Sequence, residues 1–225
     1  ALQLCLTHPD VVQIVKDRVK QILAQDPGAR LISISPNDGW GYCECERCKA
    51  IDDAEGTKMG SLLAFVNQIA DSVAQEFPDR DIRVATLAYL GTTMPPKTIK
   101  PRPNVVIELC TDWHTWWWPF SLVAETGIFR EALEAWHKIG AKIYVFDFTV
   151  NYSHYPLPIP NMPVVASNLH FFLEHGVAGV MFHGDGRGFG SENATLRTWV
   201  WPKQLWNPSL DTRSLMRDFI YGYYG

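Results

Sequence analysis

One segment of the chain joins a strand, a turn and a cysteine array: Leu31-Ile-Ser-Ile-Ser-Pro-Asn-Asp-Gly-Trp-Gly-Tyr-Cys-Glu-Cys-Glu-Arg-Cys48. Its first five residues alternate with β-branched side chains, which predicts a buried strand over 31–35. Pro36-Asn37-Asp38-Gly39 then predicts a turn, because Asn, Asp and Gly tolerate positive φ. Asp38 therefore follows the carboxyl end of a strand, where α/β folds carry their chemistry.

The cysteines of this segment form a Cys43-x-Cys45-x-x-Cys48 array, and Cys5 lies far upstream. Together they offer four soft ligands, enough to surround a tetrahedral structural Zn²⁺. In an exported protein the same four thiols could instead form two disulfides, with pairing through Cys5. We favour the metal. Cys110 lies inside a predicted strand and is interpreted as a buried thiol.

Composition excludes several classes of function. The 225 residues are 47% hydrophobic and 20% charged, which fits one globular domain or part of a larger one. The net charge of −4 and the absence of a basic run disfavour nucleic acid as a partner. No window of about 18 uninterrupted apolar residues predicts a membrane span. Since the sequence lacks an initiator Met, we expect a fragment of a longer protein.

Strands and helices alternate along the sequence, which predicts a parallel sheet with right-handed crossovers. Two architectures fit: a doubly wound open sheet, or about five C-terminal strands of a (β/α)8 TIM barrel. We favour the barrel because every strand ends in polar or aromatic residues and long loops follow the strands. The glycine-rich segment 184–190 follows the last strand, so a nucleotide site is disfavoured. The predicted strands are 31–35, 82–89, 105–110, 142–148 and 177–183.

Several motifs carry a family resemblance: Leu4-Cys5-Leu6-Thr7, Ser33-x-Ser35-Pro36-Asn37-Asp38-Gly39, the cysteine array, Leu205-Trp206-Asn207-Pro208 and Tyr223-Tyr224-Gly225. With them the chain resembles domain-of-unknown-function family 4838 over nearly its whole length. That family is similar to glycoside hydrolase family 163, barrel enzymes that cut β-N-acetylglucosaminides in N-glycans. The resemblance implies that 1–225 is a partial barrel domain, with its first strands and a further domain upstream. It also implies a bacterial protein that is periplasmic, cell-surface or secreted.

Two carboxyl groups are the catalytic candidates. In related barrel hexosaminidases two adjacent acids follow the fourth strand, whereas here the corresponding place reads Asn37-Asp38. Asp38 is therefore the first candidate for the acid or for the group that orients the substrate amide, and its alternative role is an Asx-turn that shapes the loop. Asp147 lies between two Phe at a strand end, so it is either catalytic or held by a buried hydrogen bond. Glu108 points into the barrel or makes a core hydrogen bond.

Further residues are candidates for sugar contacts, because aromatic rings stack on sugar faces and polar groups bind hydroxyls. The alternative for the tryptophans is a packed aromatic lid. No cofactor is expected for catalysis. The substrate-binding candidates are Asn37, Trp40, Tyr89, Asp112, Trp113, His114, Tyr152, His183 and Asp185.

Three functions remain open at this point. The first is a retaining glycoside hydrolase acting on glycans that contain β-linked N-acetylglucosamine. The second is a non-catalytic carbohydrate-binding barrel, favoured by the many aromatic residues and the missing acid pair. The third is a zinc-stabilised structural domain within a larger enzyme. Because five barrel strands leave two open edges, we expect the isolated fragment to be poorly stable and inactive.

Overall fold

The computed structural model describes residues 2–111, 127–184 and 190–225. Within these ranges the chain alternates between helices and strands, as the sequence predicts. The elements, in chain order, are α1 (Pro9–Gln25), β1 (Leu31–Ser33), α2 (Glu46–Glu55), α3 (Met59–Glu76), β2 (Arg83–Ala88), a 3₁₀ helix (Leu90–Thr92), β3 (Val105–Cys110), α4 (Gly127–Lys138), β4 (Lys142–Phe148), α5 (Met162–Glu174), β5 (Val177–His183), α6 (Ala194–Trp206) and α7 (Thr212–Tyr224).

The strands form one sheet in the order β1-β2-β3-β4-β5, so the predicted α/β class is confirmed. β1 pairs in parallel with β2, and β2 pairs in parallel with β3. The order follows the sequence without the reversal that a doubly wound sheet has at its switch point. This arrangement is consistent with part of a TIM-barrel-like sheet.

The first strand differs most from its prediction, while β2 (Arg83–Ala88) is one residue shorter at each end than the predicted 82–89. The structure ends β1 at Ser33, and Leu31 is 41% exposed, so the prediction of a buried strand over 31–35 is wrong. β1 stands at the end of the strand order, and only β2 is paired with it among the described strands. An edge strand is covered less completely than a central one, whatever its propensity.

The chain divides into two compact units, and the first comprises residues 1–110 and 131–144. Its core forms where the apolar face of α3 packs on β2 and β3. On β3 the alternate residues Val105, Ile107 and Leu109 are almost fully buried, while Glu108 on the opposite face is half-buried. Val106 and Cys110 on that opposite face are also buried, so β3 is covered on both faces and Glu108 is its most accessible residue.

The second unit comprises residues 111–130 and 145–225. Met162, Val165, Val200, Trp201 and Leu215 form its apolar cluster, where α5, α6 and α7 meet. No helix in the described ranges is both long and apolar enough to cross a bilayer.

The buried guanidinium of Arg197 ties the loop before α5 to helix α6 within the second unit. It donates to the side-chain oxygen of Asn161 at 2.6 Å and to the carbonyl of Ile159 at 3.0 Å, and it pairs with Glu192. Its charge is therefore matched by a carboxylate and by backbone oxygen, as a buried cation requires.

Candidate functional site

The turn that carries Asp38 is fastened to the segment before α1. The Gln3 side chain donates to the carbonyls of Asn37 (2.6 Å) and Gly39 (3.1 Å) and accepts from the Asn37 backbone N–H at 2.8 Å. The Asn37 side chain in turn donates to the Leu2 carbonyl at 2.8 Å. Gly39 has φ 144°, which favours glycine. The turn is thus held by side-chain amides, and Asp38 is exposed on it.

Glu108 is half-buried on β3, next to Leu87 of β2 in the register. Burial raises the pKa of the Glu108 carboxyl above its usual value. Burial also raises the pKa of Cys110 to about 12, and the negative charges of Glu108 and Asp38 contribute to that rise. The two carboxylates therefore lie within electrostatic range of the same thiol, toward the carboxyl end of the strands.

Asp147 occupies a different environment. Its side chain is 5% exposed and shares the buried face of β4 with Ile143 and Val145. The Thr111 hydroxyl donates to Asp147 Oδ1 at 2.9 Å, while Oδ2 has no hydrogen-bond partner within the described residues. Burial raises the pKa of Asp147 to about 6, although the Thr111 bond lowers it. This placement favours a buried hydrogen bond, one of the two roles predicted for Asp147.

An aromatic group surrounds His183 in the second unit. The His183 ring stacks on Phe146 at 5.4 Å and on Tyr152 at 4.9 Å between centroids, and Phe148 lies 6.2 Å away. The Tyr152 hydroxyl is hydrogen-bonded to His183 Nδ1. Burial lowers the pKa of His183, which favours the neutral ring. The structure thus brings together two of the predicted substrate-binding residues, Tyr152 and His183.

The other predicted contacts are scattered or lie outside the described residues. The Asn37 side-chain amide donates to the Leu2 carbonyl. Trp40 is 67% exposed beside Tyr42, and Tyr89 is half-buried after β2. The predictions at Asp112, Trp113, His114 and Asp185 fall on residues that the structure does not describe.

The four cysteines outside the sheet converge. The sulfur atoms of Cys5, Cys43, Cys45 and Cys48 all lie within 4.8 Å of one another. All four thiols are free. They come from the segment before α1, from the loop that follows the Asp38 turn, and from the first turn of α2.

A comparison with models of protein families identifies the family of this chain. A family model described as Domain of unknown function (DUF4838) matches residues 1–225. The chain belongs to the DUF4838 family. A search of the curated proteins returned no match to this DUF4838 chain.

In the DUF4838 chain, two buried carboxylates of α2, Glu55 and Asp52, each clamp this helix to a neighbouring segment by hydrogen bonds. The sequence did not indicate these contacts. Glu55, at the end of α2, accepts hydrogen bonds from the Thr98 backbone N–H at 2.7 Å, from the Thr98 hydroxyl and from the Ile99 N–H at 3.3 Å. Asp52, one turn earlier, accepts from the Ser61 N–H at 2.9 Å and pairs with Lys58 at 3.4 Å. Both clamps connect α2 to neighbouring segments and are structural.

A cavity of about 250 Å³ lies beside the Asp38 turn of the DUF4838 chain. Ser35, Asn37, Tyr42, Lys58 and Phe65 are among the residues that line it. Pockets that enclose small ligands usually measure about 300 Å³ or more. We assign it no ligand.

Proposed function

We propose that the DUF4838 chain belongs to an eight-stranded (β/α)8 barrel in a retaining glycoside hydrolase. Its substrates would be N-glycan-type glycans that contain β-linked N-acetylglucosamine. The observation that carries the proposal is the pair of carboxyl groups, Asp38 and Glu108, near the carboxyl ends of two strands of one parallel sheet. The expected similarity of the DUF4838 family to glycoside hydrolase family 163 supports the substrate class.

The two carboxyl groups suit different tasks in glycoside hydrolysis. Cleavage needs a carboxylic acid that protonates the leaving oxygen and a second group that stabilises or attacks the anomeric carbon. Glu108 suits the acid because burial keeps it protonated to a higher pH than usual. Asp38 suits the second role because it is exposed on a turn that Gln3 holds in place. In a substrate-assisted route, Asp38 would orient the acetamide that attacks the anomeric carbon.

Asp147 stays a predicted catalytic residue, but its burial supports a structural role better. The resemblance also supports an exported bacterial protein, and we include that location in the proposal. The proposed reaction requires no metal, and its partner is a glycan.

The decisive experiment is glycan release from N-glycoproteins and simple β-N-acetylglucosaminides by the natural full-length protein. We expect Asp38→Asn and Glu108→Gln each to lower kcat by about 10²-fold or more, because each removes a group that acts in the transition state. Asp147→Asn should retain most of the wild-type rate. The matched control is Asp79→Asn, an exposed carboxylate in the turn before the amino end of β2. Unchanged turnover in both Asp38→Asn and Glu108→Gln would remove the pair from the mechanism.

A second candidate function is a carbohydrate-binding barrel without catalysis. The observation that favours it is the aromatic group of Phe146, Phe148, Tyr152 and His183, which offers ring faces for sugar stacking. The same experiment separates the two functions. Glycan binding by the wild-type protein without any released product would favour the binding domain.

A further inference from the structure

We propose that Cys5, Cys43, Cys45 and Cys48 bind one structural Zn²⁺ ion. Cys5 Sγ lies 3.6 Å from Cys45 Sγ and 4.0 Å from Cys48 Sγ. In a tetrahedral site with Zn–S bonds of about 2.3 Å, neighbouring sulfurs are separated by about 3.8 Å. The observed separations bracket that value.

The arrangement also distinguishes a metal from disulfides. Two disulfides would draw the sulfurs into two pairs at about 2.05 Å. Here all four sulfurs lie within 4.8 Å of one another, as donors around a common centre do. A set of four thiolates leaves no open position for water or substrate, which is the property of a structural zinc site and not of a catalytic one.

The local structure prepares these thiols for a cation. Cys45 is the N-cap of α2 and Cys48 lies in its first turn, while the Cys5 carbonyl accepts from the His8 N–H at the start of α1. The positive end of α2 therefore favours thiolates at its first residues.

A hydroxyl group supports the thiols from outside the cluster. Thr7 Oγ1 lies 3.2 Å from Cys48 Sγ and 3.7 Å from Cys45 Sγ. Once the cysteines ionise, this hydroxyl can donate to a sulfur and fix its orientation, as outer hydrogen bonds do at metal sites.

The ion would join three segments of the first unit. These are the residues before α1, the loop after the Asp38 turn, and α2, whose N-cap makes no side-chain capping bond. Zinc binding would therefore contribute directly to the folding of this corner. This inference is independent of the proposed hydrolase activity, because it concerns stability and not the reaction.

The first test is the metal content of the wild-type protein, purified under reducing conditions with Zn²⁺ supplied. We expect one zinc per chain by elemental analysis and, after exchange with Co²⁺, the visible absorption of a tetrahedral thiolate site. A chelator should remove the ion and lower Tm. A protein that contains no zinc although Zn²⁺ was supplied would overturn the proposal. An intact mass lower by four hydrogens, measured on protein purified without reductant, would then show that the four cysteines form two disulfides instead. This result would leave the hydrolase proposal untouched.

Variants then assign the ligands. Cys5→Ser and Cys48→Ser should each weaken zinc binding by at least about tenfold, since even the loss of an outer hydrogen bond has an effect of that size. Cys110→Ser is the matched control, because Cys110 is a buried cysteine on β3 outside the cluster, and it should retain one zinc per chain. Equal zinc affinity in all three variants, measured by competition with a chelator, would also overturn the proposal. If a variant fails to fold, the Co²⁺ spectrum of the wild-type protein still decides the question.

Discussion

Glu55 and Asp147 are both buried carboxyl groups, one in each unit, yet their pKa values move in opposite directions. Glu55 is 7% exposed and Asp147 is 5% exposed. Burial alone would raise the pKa of Glu55, but the hydrogen bonds from Thr98 and Ile99 outweigh it, and the net pKa is lowered. Asp147 receives one hydrogen bond, from Thr111, and its pKa rises to about 6.

The difference teaches that hydrogen-bond donors, together with the desolvation that burial causes, decide which form of a buried acid the fold stabilises. A carboxylate that accepts several hydrogen bonds is favoured as an anion, whereas one with a single donor is favoured as the neutral acid. In this protein Glu55 therefore acts as a fixed anion that clamps α2. Asp147 is the group that changes its charge in the mildly acidic range.

The largest expected effect comes from removing the Glu55 carboxylate. Glu55→Ala should lower the free energy of unfolding by about 3 kcal/mol, because the Thr98 and Ile99 donors lose a charged acceptor. The matched control is Asp53→Ala on the same helix, which removes an exposed ion pair with Lys49 and should cost about 0.5 kcal/mol or less. Urea unfolding of both variants measures the two losses. Equal losses of unfolding free energy in the two variants would contradict the stabilising role of the Glu55 hydrogen bonds.

The second expected effect is a pH dependence of stability that comes from the titration of Asp147. Its folded pKa of about 6 exceeds the ordinary aspartate value, so the folded state binds more protons between these two values. Stability from this group is therefore greatest in acid and is lost as the pH rises through 6. Between pH 7 and pH 5 we expect a gain of about 1 kcal/mol.

Asp147→Asn is the variant that checks this assignment, because it cannot titrate. Between pH 7 and pH 5 it should lack the gain of about 1 kcal/mol that Asp147 gives the wild-type protein. Glu55 has the opposite sign: its contribution is present above the ordinary glutamate pKa and is lost as the pH falls through its own lowered value. A wild-type protein that gains no more than Asp147→Asn on going from pH 7 to pH 5 would contradict the raised pKa of Asp147.

The smallest expected effect tests the single donor of Asp147. Thr111→Val removes the hydroxyl that favours the anion, so the pKa of Asp147 should rise further. The midpoint of the pH-dependent stability should move to higher pH by a fraction of a unit. The same change leaves the Phe148 N–H without its Thr111 acceptor and should cost about 1 kcal/mol. A midpoint that falls would contradict the role of Thr111.

Hydrophobic pattern predicted most of the fold. The bounds of β3, β4, β5 and α7 match their predictions, because each strand is a short run dominated by apolar residues and α7 has a capping aspartate, Asp211. α2 was not predicted. Its buried residues are Cys48, Asp52 and Glu55, so an apolar stripe was absent from this helix. Burial of such polar side chains depends on hydrogen-bond donors elsewhere in the chain.

The candidate site was predictable only in part. The spacing of three cysteines within six residues, with Cys5 upstream, predicted a cluster whose sulfurs the structure brings together. The faces of Asp147 and Glu108 were not predictable, because both follow apolar runs and only strand register decides which face is covered. The anchor of Gln3 on Asn37 joins residues 34 positions apart, and no local pattern encodes such a contact.

The contacts of Gln3 have a practical consequence for anyone who trims this protein. A boundary placed directly after Gln3 would leave every described helix and strand intact, yet it would remove the amide that holds the carbonyls of Asn37 and Gly39. The shortened protein would keep its far-ultraviolet circular dichroism while the Asp38 turn became free to change conformation. A truncation series that tracks only helix content would therefore choose a boundary several residues too late.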